Sequence, residues 1–121
     1  MASPEVGDKL KKDFGKPRFD LIPAEAMHGL ASLYERGARK YADRGWEEGM
    51  DFHRLFSAME RHAWKWFMGD DYDEVDGQHH LLSVAWCAIA LYTYQCRGME
   101  QFDDRPKNST LAHCEAFWSK N

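Results

Sequence analysis

Between residues 70 and 76, five of seven positions are acidic: Asp70, Asp71, Asp73, Glu74 and Asp76. So dense a run of charge cannot be a buried element. It leads directly to His80, which opens the most apolar stretch of the chain. A helix starting at Asp76 would put Asp76 and His80, four apart, on one face, and Asp73 would join them from the loop. Carboxylates hold Mg²⁺ or Mn²⁺, and an added imidazole shifts the preference toward Mn²⁺. The plainer reading of the acids is helix capping, which the positive end of the helix dipole favours. Capping does not account for a histidine placed at the head of an apolar helix.

A second candidate lies eighteen residues earlier. His62 falls on the same helical face as Leu55, Met59, Ala63 and Trp66, with Glu60 and Arg61 beside it. A lone histidine on an apolar face is usually a hydrogen-bonded core residue. An antiparallel hairpin, however, would bring Glu60 or His62 toward His80 and Asp76, and a metal needs ligands converging from more than one element. The ligand set expected on these grounds is Glu60, Asp73, Asp76 and His80, with Glu60, His62 and Asp76 as catalytic groups. A third set is cationic and aromatic: Lys16, Arg18, Arg36, Arg39, Lys40, Tyr41 and Trp46, of which Lys16, Arg18, Lys40, Tyr41 and Trp46, with Arg61, are the expected substrate-binding residues. Cations neutralise phosphates, and flat rings stack on a base. The plainer reading of this set is a solvated basic face. The sequence has no Walker A loop, no dinucleotide-binding glycine signature and no nucleophile elbow, which argues against those chemistries.

The elements that must position these residues are helical. Pro23 suits a first helical turn, and Met27, Leu30, Ala31, Tyr34, Ala38 and Tyr41 repeat at helical spacing, predicting a helix from about Pro23 to Tyr41. Asp51 as cap and Gly69 as stop bound a second helix ending at Met68. A third, apolar on nearly every side, is expected from about Asp76 to Cys96. Leu111 to Trp118 is read as a short last helix. Residues 1–15, polar and aperiodic, are read as a flexible arm, and 16–121 as one all-α domain. The net charge of −4 argues against broad nucleic-acid binding. Cys87, Cys96 and Cys114 form no paired motif, which reads as reduced cysteine in the cytoplasm. No apolar run is long enough to span a bilayer, so no membrane association is expected.

The order of short motifs carries a resemblance. Lys16-Pro17-Arg18-Phe19-Asp20-Leu21-Ile22-Pro23 is followed by Gly37-Ala38-Arg39-Lys40-Tyr41 and Asp43-Arg44-Gly45-Trp46. Arg61-His62, Gly69-Asp70 through Asp73, His80-Leu81 and Ala85-Trp86-Cys87-Ala88 come next. Over roughly residues 14–95 this resembles the phage dATP/dGTP diphosphohydrolase family, including the MazZ-like proteins of phages with 2-aminoadenine in their DNA. That family is similar to the MazG-type all-α nucleotide pyrophosphohydrolases. The resemblance implies a helical bundle completed by oligomerisation, as a homodimer or homotetramer. It also implies metal-dependent cleavage of a purine (deoxy)nucleoside triphosphate, preferably dGTP, between the α and β phosphates. MazG-type enzymes bind Mg²⁺ through Glu-x-x-Glu on one helix and Glu-x-x-Asp on the next. Here Glu60 and His62, then His80 and Ser83, stand where those pairs fall. The departure leaves room for a second class, a non-catalytic nucleotide- or metal-binding helical protein, and for a third, a phage protein that docks on a host factor through its aromatics.

Overall fold

The computed structural model describes residues 12–107, 115–116 and 118–119 of the chain. Three α-helices carry the fold: α1 (Ala24–Lys40), α2 (Phe52–Phe67) and α3 (His80–Cys96). Short 3₁₀ turns occur at Phe19–Leu21, Gly45–Glu48 and Glu100–Phe102. Among the described residues there is no strand, only an isolated antiparallel bridge between Tyr72 and His79. The all-α expectation holds, and among the described residues no helix is long and apolar enough to cross a membrane. Residues 1–11 of the expected arm, Cys114 and most of the expected last helix lie outside the described residues.

The first two helices begin and end where local chemistry requires. Pro23, with φ of −58°, leads into α1, where a missing N–H is no loss. Arg39 and Lys40 complement the dipole in its last turn. At the end of α2, Gly69 adopts φ of +99°. That conformation lets the Gly69 and Asp70 N–H groups reach the carbonyls of Trp66 and Lys65. Asp51 precedes α2 as expected, but its side chain makes no capping bond.

The start of α3 corrects the sequence reading. The helix begins at His80, four residues after Asp76, so Asp76 and His80 do not share a helical face. The acids between them build turns instead. Asp73 Oδ1 accepts from the N–H groups of Val75 (2.8 Å) and Asp76 (3.3 Å). Asp76 Oδ1 accepts from the N–H of Gln78 (2.9 Å). Gly77 sits at φ of +74°, outside helical space. The cap of α3 is His79, whose Nδ1 accepts from the N–H of Leu81.

Helices α2 and α3 pack as an antiparallel hairpin. Phe52 stacks on Tyr94 at one end, and His62 faces His80 at the other. The buried core between them is Phe52, Leu55, Cys87, Ala90 and Tyr94. Tyr34, Trp46, Trp86 and Tyr94 meet with ring centroids 6.0–6.4 Å apart, and the Tyr94 hydroxyl donates to the Trp46 carbonyl. The α1 helix joins where Gly29 leaves room for Leu82; a Cβ there would lie 2.8 Å from Leu82 Cδ1. The hairpin is covered on only part of its surface. Phe56, Trp64, Trp66 and Phe67 of α2 and Leu81, Ile89 and Tyr92 of α3 are exposed.

Burial pushes the Cys87 thiol up from 9.0 to about 11. An acid whose folded-state value is raised supports the fold below its unfolded value and withdraws that support as pH rises through the folded one. Chemical denaturation between about pH 9 and pH 11 is therefore expected to show falling stability, with a shallower fall in Cys87→Ala. Equal slopes in the two proteins would show that the thiol does not contribute.

Candidate metal centre

Helix pairing brings together two of the sequence candidates. His62 lies near the C-terminal end of α2, and His80 is the first residue of α3. The Nδ1 atoms of the two rings are 2.9 Å apart. His80 is fully buried and His62 half-buried. The loop returning from α2 adds Asp73. One ligand atom from each of His62, Asp73 and His80 lies within 4.8 Å of the others.

The loop is held in this place by paired backbone bonds. The Asp73 N–H donates to the Gln78 carbonyl (2.8 Å), and the His80 N–H donates to the Asp71 carbonyl (2.9 Å). Arg36 of α1 clamps the same loop from outside by donating to the Asp76 carbonyl at 3.2 Å. The nearly buried Gln78, with its amide oxygen toward Arg36, accepts from Nε and Nη1 at 3.2 and 2.8 Å. Bonds from all three helices thus anchor the loop that carries Asp73.

The electrostatics favour ligand-ready forms. Burial, then the neighbouring His80, lowers the His62 pKa, so the ring is held neutral. The Val75 N–H, aided by that of Asp76, lowers the Asp73 pKa and keeps its carboxylate charged. A neutral imidazole and an ionised carboxylate are the forms that bind metal. The donor set also passes a geometric test. Two nitrogens about 2.1 Å from one ion, at a right angle, would be separated by about 3.0 Å. Buried His80 Nε2 has no hydrogen-bond partner, although Asp70 Oδ2 lies 3.5 Å away.

The remaining expected residues are placed differently. Asp76 is close enough for its charge to act on His62, but it is not among the converging ligand atoms. Glu60 is half-buried on α2 and also outside the cluster; two positions from His62, it faces another direction. Arg61 is exposed beside His62. Lys16 and Arg18 are exposed before α1, and Arg18 already pairs with Asp20. Tyr41 is exposed at the end of α1, with Lys40 Nζ 5.3 Å from its ring centroid. Trp46 is half-buried within the aromatic group, which leaves less of its surface for a base.

Two features escaped the sequence reading. Asp70 beside His80 could have been suspected from the acidic run, but choosing it required the path of the loop. A second convergence, Asp51, His53 and Asp104, spans fifty-odd residues and has no local signal. Its members are exposed, and Asp104 is occupied by both the ring and the N–H of His53. It reads as a staple fastening the chain after α3 to the start of α2.

Comparison with known proteins adds the following. The family described as "dATP/dGTP diphosphohydrolase, N-terminal" matches residues 6–105. A protein of Salmonella phage PMBT28 named dATP/dGTP diphosphohydrolase is 30% identical over 76 residues, covering 63% of this chain and 26% of its own length. The chain thus spans about a quarter of that curated relative. No solved structure matches the chain.

Proposed function

This chain belongs to the dATP/dGTP diphosphohydrolase N-terminal family, and from that premise we propose that it hydrolyses dGTP or dATP to the monophosphate and pyrophosphate. The observation that carries the reading is the convergence of His62, Asp73 and His80 where the connecting loop closes the helical hairpin. In the reaction a water oxygen bonds to the α-phosphorus, the bond from that phosphorus to the bridging oxygen breaks, and pyrophosphate departs. One proton is lost from the water.

His62, Asp73 and His80 would hold a divalent ion, Mg²⁺ or Mn²⁺, which when bound neutralises phosphate charge and acidifies water. The chain's other groups have separate tasks. Asp76, exposed and within electrostatic reach of His62, accepts the proton of the attacking water. Lys40 lies one helical turn beyond Arg36, on the side of α1 that meets the loop, and reaches for the phosphates. Arg61 supports the same charge from α2. Lys16 and Arg18 close over the nucleotide from the segment before α1. The exposed Arg18–Asp20 pair is readily exchanged for a phosphate partner. Tyr41, already flanked by a cation, offers the more open stacking surface, and Trp46 supports it from the aromatic group. Pyrophosphate release from dGTP and dATP, abolished by EDTA, tests this reading. Nucleotide binding without release would favour the non-catalytic alternative.

The apolar surface left by α2 and α3 supports a homodimer or homotetramer. Trp64, Trp66, Phe67 and Tyr92 expose more aromatic area than scattered surface residues account for, and a two-fold axis would let one copy cover another. Light scattering at micromolar concentration is expected to give at least twice the 14.1 kDa chain mass. A monodisperse, active species near one chain mass would contradict the assembly.

A further inference from the structure

The centre contains more nitrogen than a Mg²⁺ site requires, and its most buried ring has a carboxylate behind it. We propose that His62, Asp73 and His80 form an ion site that takes Mn²⁺ in preference to Mg²⁺, with Asp70 as the positioning residue that sets the His80 ring. The inference rests on the metal-dependent reading above and deepens it, but it concerns ion binding by the chain without nucleotide.

Three observations support it. First, two of the three converging donors are imidazoles. Mg²⁺ is bound through oxygen and parts reluctantly with its waters, whereas Mn²⁺ tolerates nitrogen and carboxylate together. Second, the Nδ1 atoms of His62 and His80 lie 2.9 Å apart, so two ring nitrogens from different helices face one point and at most one proton fits between them. An ion that accepts both lone pairs resolves this. Third, if His80 binds through Nδ1, its Nε2 carries the proton. That fully buried atom has no hydrogen-bond partner, yet Asp70 Oδ2 lies 3.5 Å away. A carboxylate behind a metal-binding histidine fixes the tautomer and raises the basicity of the ligand. Asp70 is well placed for that role: it follows Gly69 at the end of α2, and its N–H is bonded to the Lys65 carbonyl.

The test is calorimetric titration of the full chain with MnCl₂ and with MgCl₂, without nucleotide, together with electron-spin-echo spectroscopy of the Mn²⁺ complex. Saturable Mn²⁺ binding is expected, at least about tenfold tighter than Mg²⁺, with imidazole ¹⁴N modulation in the echo. His62→Gln should abolish the tight site. Asp70→Ala should weaken Mn²⁺ about 10–100-fold while leaving the melting temperature of the metal-free protein unchanged, because Asp70 is exposed. Equal affinity for the two ions, or an echo without nitrogen modulation, would overturn the proposal even if a variant failed to fold. Wild-type Mn²⁺ affinity in folded Asp70→Ala would remove Asp70 from it. Because none of these readouts involves turnover, tight Mn²⁺ binding by a protein inactive on dGTP would sink the proposed activity and leave this inference standing.

Discussion

Asp73→Asn is expected to lose about 100-fold or more in both turnover and ion affinity while melting like the parent. The expectation follows from what the side chain does twice. Its Oδ1 caps the turn by accepting from the N–H groups of Val75 and Asp76, and an asparagine oxygen can do the same. Only the charge disappears. Asp76→Asn should behave differently. Its bond from the Gln78 N–H also survives as an amide acceptor, so the loop keeps its path and the ion site is retained. The lost proton acceptor should still cost about 100-fold in turnover. Glu74→Gln, an exposed change in the same run, serves as the control and should leave both quantities near the parent value. Steady-state kinetics paired with calorimetry separates these cases. If Asp73→Asn and Glu74→Gln performed alike, the ion site would have to be placed elsewhere.

The largest expected effect on stability comes from Gly49→Ala. Gly49 adopts φ of +111°, a conformation that L residues rarely take. A Cβ there would lie 2.1 Å from Cε2 of the Phe102 ring. Strain and overlap together should cost about 2–4 kcal/mol, a fall in melting temperature of roughly 8–15 °C. Phe102 packs against the core and against Tyr94, so the ring cannot simply swing into solvent. Phe102→Ala should itself destabilise the protein, and the double variant should be less damaged than the sum of the two, because the clash is then absent. Differential scanning calorimetry decides the point. An unchanged melting temperature in Gly49→Ala would mean that the chain at this turn relaxes freely.

The sequence reading and the structure agree where periodicity and caps act together. Pro23, Gly69 and the apolar spacing place α1 and α2 within a residue or two. The antiparallel hairpin that was needed to bring His62 toward His80 is present. The start of α3 falls four residues later than the spacing predicts, for a physical reason. An Asp at a helix start and an Asp that caps a turn offer the backbone the same oxygen, and only Gly77 with its positive φ separates the two cases. Asp76 therefore lies in the loop, not on a face of α3. Asp70 and the His53–Asp104 staple were illegible because both depend on where loops travel. Lys40 ends α1 and Tyr41 follows it directly, where helical spacing puts them. Their proposed contact with a nucleotide is not specified by the pattern of one chain.

The position of cleavage tests the proposed hydrolysis most directly. Purified protein with dGTP and either Mn²⁺ or Mg²⁺, its products separated by ion-exchange chromatography, should yield dGMP and pyrophosphate in equal amounts. dATP should give dAMP and pyrophosphate in the same way. EDTA should stop the reaction, and Asp73→Asn should show almost none. The appearance of dGDP with orthophosphate, of deoxyguanosine with tripolyphosphate, or of no product from either nucleotide would contradict the account.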